Sequence, residues 1–216
     1  MDIGPTLGVV AWSLSLREFR QPLLAEELLL AAGKALYLAN AFETKCQYVL
    51  RILNLVQIVE SDPVLTLEQA FAALPQDKML AATVQDITGY QLSSDMAKMD
   101  LLHRARRARN FIAHEGMSTG PIWGLHRQTI IEHTGRLRAA VADLAAGDNV
   151  VSAWCYEIDE KEPAPRDFTS AYPDMVATWI FGRLDLLITQ TEGEPDDREP
   201  TLAEYLKQRS TTQSGQ

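Results

Sequence analysis

Between Met99 and Gly116 the chain reads MDLLHRARRARNFIAHEG, with His103, Arg104, Arg106, Arg107 and Arg109 inside seven residues. Asn110 follows, and an apolar Phe-Ile-Ala step leads to His114, Glu115 and a terminating Gly116. Histidine, with an ordinary pKa of about 6.5, can take or give a proton near neutrality. Arginine stays charged and holds a phosphate through two hydrogen bonds. Together they suffice for cleaving a phosphodiester that carries its own nucleophile. A base removes the proton of the adjacent 2′-hydroxyl, and a guanidinium stabilises the charge that builds on the phosphate. RNA has that hydroxyl and DNA does not, and this chemistry needs no metal.

The elements that must position these groups are helices. From Pro22 the apolar residues Leu28, Ala32, Ala35, Ala39, Phe42, Cys46, Val49, Leu53 and Val56 alternate spacings of four and three, the seam of a helix packed along a partner. Further apolar residues on its flanks, Leu29, Leu36, Leu38, Leu50 and Ile52, point to neighbours on two sides. Unbroken from Leu23 to Glu60 the helix would be about 57 Å long, more than a compact domain needs, which makes Gly33 the expected break. Thr66 and Gln69 form a capping box for a short helix, and a second short helix is expected from Asp77 to Thr88. Ser94 or Asp95 then caps the arginine-bearing helix, whose core stripe is Ala97, Leu101, Ala105, Ala108 and Ile112. Met117 to Trp123, with Gly116, Gly120 and Pro121, is a turn-rich loop. The next helix, roughly His126 to Ala146, is expected to place Ile130, His133, Leu137, Ala140, Val141 and Leu144 on its core side and to stop at Gly147. A short element is expected over Val151 to Ile158, read as helix in preference to strand, and the acidic Glu157 to Asp167 reads as a linker or surface loop. Pro173 opens a helix with stripe Val176, Ile180, Arg183, Leu184 and Leu187. A second acidic loop, a short helix and the tail TTQSGQ complete the chain.

The expected architecture is therefore all-α: an antiparallel bundle of four to six main helices at 22–147, an irregular lead-in at 1–21, a C-terminal helical extension at 148–209 and a disordered tail at 210–216. The formal net charge of −9 argues against general coating of nucleic acid, so any polyanion site must be local to the arginine cluster. Cys46 and Cys155 read as reduced residues of a cytosolic protein. No signal-peptide order, no run of about 18 uncharged apolar residues, no metal-ligand spacing and no phosphate loop is present, so we expect a soluble, cytoplasmic chain without metal or cofactor.

Arg109-Asn110-Phe111-Ile112-Ala113-His114 resembles the motif of the HEPN superfamily, in which an Arg and a His are separated by four to six residues and a polar residue follows the Arg. Arg107 also meets that spacing, but only Arg109 places Asn110 at the polar position. The resemblance covers roughly Pro22 to Ala146, including a mid-helix acid at Glu43. It implies a homodimeric endoribonuclease of toxin-antitoxin or phage-defence systems. His114 is then the general acid or base, Arg109 the phosphate clamp and Asn110 an orienting residue. His103, Arg104, Arg106 and Arg107 hold the RNA backbone, and Glu43 orients His114 or a partner's Arg. Toxins neutralised by a small nucleotidyltransferase carry a Tyr two residues after the His. Here Gly116 stands there, which removes the target of that antitoxin and leaves the identity of any protein partner open.

Helix geometry sets a condition on this reading. Five positions place Arg109 about 140° around a straight helix from His114, whereas Arg107, Asn110 and His114 share a face. Convergence of Arg109 and His114 requires either distortion at the helix end or a second copy facing the first, and the resemblance implies the second. The competing class is a non-catalytic helical module for dimerisation or RNA binding, whose arginines make salt bridges. His133 reads as a packing residue, His103 and His126 as surface residues, and Trp123, Trp154 and Trp179 as core or interface anchors.

Overall fold

The computed structural model describes residues 22–76, 78–90, 96–116 and 127–192. They form six helices: α1 Pro22–Ser61, α2 Leu67–Ala72, α3 Leu80–Gly89, α4 Met96–Glu115, α5 Arg127–Glu160 and α6 Arg166–Gln190. No strand occurs among the described residues, and the chain is an all-α helical bundle. The lead-in at 1–21, the Ser94 or Asp95 cap, the loop with Trp123 and His126, and the final helix and tail lie outside the described residues.

Helix α1 is the axis of the molecule and packs against each of the other five helices. Leu28, Ala32, Ala35, Ala39, Phe42, Cys46 and Val49 are buried as their spacing predicts. The stripe then emerges: Leu53 is half-buried and Val56 exposed, because α1 runs past the end of its longer partners. The expected break at Gly33 does not occur. All 40 residues form one helix, about 60 Å long. A glycine in a helix interior costs about 1 kcal/mol, and the apolar burial on either side of Gly33 exceeds that.

The capping box at α2 forms in both directions, Gln69 N donating to Thr66 Oγ1 at 3.3 Å and Thr66 N to Gln69 Oε1 at 2.9 Å. Helix α3 begins at Leu80, three residues after the expected start.

Two expected boundaries are corrected. Helix α5 runs through Gly147 and takes in Val151 to Ile158 as the same helix, so the division expected between 147 and 148 falls inside one element. Gly147 is where α4 crosses α5: a Cβ there would overlap the Ala105 methyl and come 3.1 Å from the Leu101 carbonyl oxygen. The missing side chain is a packing feature, not a stop. Helix α6 starts at Arg166, so Pro173 lies within it instead of at its head. Proline has no N–H for the carbonyl four residues back, which is that of Thr169. Asn149 of α5 supplies the substitute, its Nδ2 donating to Thr169 O at 2.7 Å. Since α6 packs on both α1 and α5, the chain through Gln190 belongs to one bundle.

Among the described residues one carboxylate sits in the core. Asp148 is fully buried and accepts from Lys45 Nζ at 3.0 and 2.9 Å and from the Tyr172 hydroxyl. Lys45 also donates to Ser152 Oγ at 2.9 Å. This network ties α1, α5 and α6 together. Burial, with the Asp148 charge adding, pushes the Tyr172 hydroxyl and the Cys46 thiol well above their ordinary values. Burial alone is the main cause that raises Cys155 to about 11. Both cysteines are free thiols.

Candidate functional site

Helix α4 presents three sides. Met99, Leu102, Ala105, Ala108 and Ile112 are buried. Of the expected stripe, Ala97 is exposed and Leu101 half-buried, and Met99 and Leu102 are the residues of that part of the helix that face the core. Towards α5, Arg104 lies 3.4 Å from Asp100 and 3.6 Å from Asp143, and the guanidinium of Arg136 sits 5.4 Å from the centre of the Phe111 ring. Towards α1, Arg109 Nη2 donates to Glu43 Oε2 at 2.5 Å, with only 20% and 23% of the two side chains exposed. The third side faces away from the core and carries His103, Arg107, Asn110 and His114 at spacings of four, three and four. His103 is half-buried and the other three are exposed.

The structure thus separates the candidate residues into two sets. Arg109 is held between helices by Glu43 and donates from Nη1 to Asn110 Oδ1 at 3.3 Å, while its buried Nε has no hydrogen-bond partner among the described residues. Glu43 meets the Arg109 of its own chain and makes no hydrogen bond to His114 among the described residues. Arg104 is engaged with acids as well. Arg106 and Arg107 have no ion pair among the described residues. Helix α4 is regular through Glu115. Hence Arg109 and His114 stay about 140° apart, and distortion at the helix end does not bring them together.

His114 stands at the rim of an open groove of about 510 Å³ formed with α1, lined by Leu29, Gly33 and Leu36 from α1 and by Ile112 and Ala113 from α4. These two helices run antiparallel here, since Arg109 meets Glu43 while His114 lies beside residues 29–36. Leu29 and Leu36 were expected to touch neighbouring helices. Instead they are 38% and 41% exposed along this groove, whereas Leu38 and Leu50 are buried as expected. Their position on the edge of the α1 seam was legible, but not that α4 leaves that edge open.

The end of α4 is fixed from inside. His133 of α5 is 3% exposed and its Nε2 lies 2.5 Å from the Gly116 carbonyl oxygen, so it is a satisfied packing histidine as its stripe position predicts. Trp154 is buried, and Trp179 is about half exposed with its ring against Tyr37 and Lys34. The residues that the sequence reading missed are Lys45, Asp148, Ser152 and Tyr172. Each is an ordinary polar residue in its own segment, and only the packing of three helices brings them together.

Comparison with family models, with curated proteins and with solved structures finds no match.

Proposed function

We propose that this chain is a metal-independent endoribonuclease of the HEPN type, working as a homodimer in a toxin-antitoxin or phage-defence setting. The observation that carries the reading is the end of α4. It holds a fixed arginine, Arg109, beside an acid on one side and, on another, an exposed histidine, His114, that makes no hydrogen bond among the described residues and shares its side with Arg107. In the proposed reaction, a neutral His114 takes the proton of a ribose 2′-hydroxyl as its oxygen attacks the adjacent phosphorus. The bond to the 5′-oxygen breaks, and that oxygen takes a proton from a second, protonated imidazole. The products are a 2′,3′-cyclic phosphate and a 5′-hydroxyl end. One chain offers one such histidine, and a facing copy offers the other. Arg109 stabilises the pentacoordinate phosphate and Asn110 orients the Arg109 guanidinium. His103, Arg104, Arg106 and Arg107 draw in the backbone. Glu43 holds Arg109 in place.

The pairing of Arg104 and Arg109 with acids favours a second reading, in which α4 binds RNA or a second copy without turnover. Cleavage of RNA in EDTA by the wild type, His114→Ala and Arg109→Ala, at matched folded fraction, decides between them. The endoribonuclease reading requires wild-type cleavage that both variants lose. Wild-type inertness towards every RNA tried, or a His114→Ala protein that cuts as well as wild type, would leave the binding module.

A further inference from the structure

We propose that the groove beside His114 is a base site, holding one unstacked base of a single-stranded RNA next to the bond to be cut. The inference rests on the endoribonuclease reading for its substrate and on the groove for its content. Charge places the strand. In a chain of net charge −9, Arg106 and Arg107 have no ion pair among the described residues and the exposed side that carries Arg107 runs on to His114, so a polyanion held there has the groove directly beside its sugar-phosphate chain. Size and lining then select what enters. A recess of about 510 Å³ walled by Leu29, Leu36, Ile112 and Ala113 offers flat apolar contact to a base and repels a phosphate. Gly33 sets its depth: nothing lies within 4 Å of where its Cβ would be, so the floor is open because the side chain is missing.

The same lining dictates the selectivity. Among the described lining residues Leu29, Leu36, Ile112 and Ala113 offer no side-chain donor or acceptor, the His114 imidazole at the rim does, and the Gly116 carbonyl at the groove's end faces His133 Nε2. A paired base inside a duplex stays stacked and cannot enter, so single strands are bound and duplexes are not.

The test measures binding, in a His114→Ala background that prevents turnover, with fluorescently labelled single-stranded RNA, the matching duplex, and an oligomer of the same ribose-phosphate chain lacking all bases. Gly33→Leu should fill the recess and weaken the single strand about ten-fold, the scale of one base-stacking contact, and leave the base-free chain unaffected. Gly33→Ala, which improves the helix and leaves most of the recess open, should bind like the parent. Equal affinity of Gly33→Leu and parent for single-stranded RNA overturns the base site, as does an equal loss for the base-free chain or a failure to bind RNA at all. Sedimentation of the same proteins supplies a further check. If Gly33→Leu breaks up a dimer, the groove is occupied by a second copy and the base site is wrong. The catalytic reading is judged separately: RNA bound with the Gly33 contrast but left uncut by wild type removes the nuclease and keeps the site.

Discussion

An imidazole that makes no hydrogen bond among the described residues, as His114 does, can be removed at little structural cost, so its substitution separates chemistry from folding. His114→Ala is expected to lower RNA cleavage by about 10²- to 10⁴-fold while shifting stability by less than about 0.5 kcal/mol, read from initial rates and urea denaturation of one preparation. Arg109→Ala should behave differently. Removing the guanidinium leaves the Glu43 carboxylate about one-fifth exposed and without its partner, so a stability loss of about 1 kcal/mol is expected to accompany the loss of activity. An Arg109→Ala protein as stable as wild type would show that the ion pair contributes nothing to the fold. That these residue types stand close together near the end of one helix was legible from the sequence. What could not be read was which of the arginines are engaged. Arg104, Arg107 and Arg109 lie within six positions, yet two meet acids on other helices and one meets water, a difference set by which sides α1 and α5 cover.

At the level of elements, the boundaries misplaced at Gly147 and Pro173 each have their cause on a different helix. A glycine after an apolar run reads as a helix stop, and Gly147 fits that pattern. Its reason for being glycine lies on α4, at Leu101 and Ala105, more than 40 positions earlier. Gly147→Ala should therefore destabilise the protein by about 1–3 kcal/mol, although alanine is the better helix former, because α4 and α5 must move apart. A urea midpoint at or above the wild-type value would refute the close crossing. Pro173 likewise fits the first turn of a helix by local rules and is tolerated in the interior of α6 because Asn149 serves the orphaned Thr169 carbonyl. A double-mutant cycle checks this. Asn149→Ala should cost about 1 kcal/mol in the wild type and clearly less in a Pro173→Ala background, where the backbone N–H is restored. Additive effects would mean that the Asn149 amide does not stand in for that N–H. The seam of α1 and the capping box of α2 were read correctly because both are fixed by residues within a few positions of one another.

For the molecule as a whole, the buried groups at the junction of α1, α5 and α6 set an alkaline limit. Cys46, Cys155 and Tyr172 all hold their protons more tightly when folded, Cys155 up to about 11 against an ordinary thiol value of 9.0. Below that ordinary value the thiols are neutral in both states and their contribution is complete. Above it the unfolded thiols ionise while the folded ones do not, the unfolded state binds fewer protons, and stability falls as pH rises from 9 through 11. The urea midpoint should decline across that window, and less steeply in a Cys46→Ala, Cys155→Ala double variant; equal slopes would show that the thiols play no part. No described helix is long and apolar enough to cross a membrane. The central position of α1 has a consequence for synthesis. Lys34 meets Trp179, Lys45 meets Asp148 and Glu43 meets Arg109, separations of 145, 103 and 66 positions. A ribosome adding about 5–20 residues per second leaves the N-terminal half of α1 waiting roughly 7–30 s for α6. During that time Leu24, Leu28, Ala35 and Phe42, all buried in the finished bundle, have lost neither water nor the chance to meet another nascent chain. The arginine-bearing helix α4 is made before α5, the helix it packs on most, so a chain built this way stays unassembled until α5 and α6 have been synthesised.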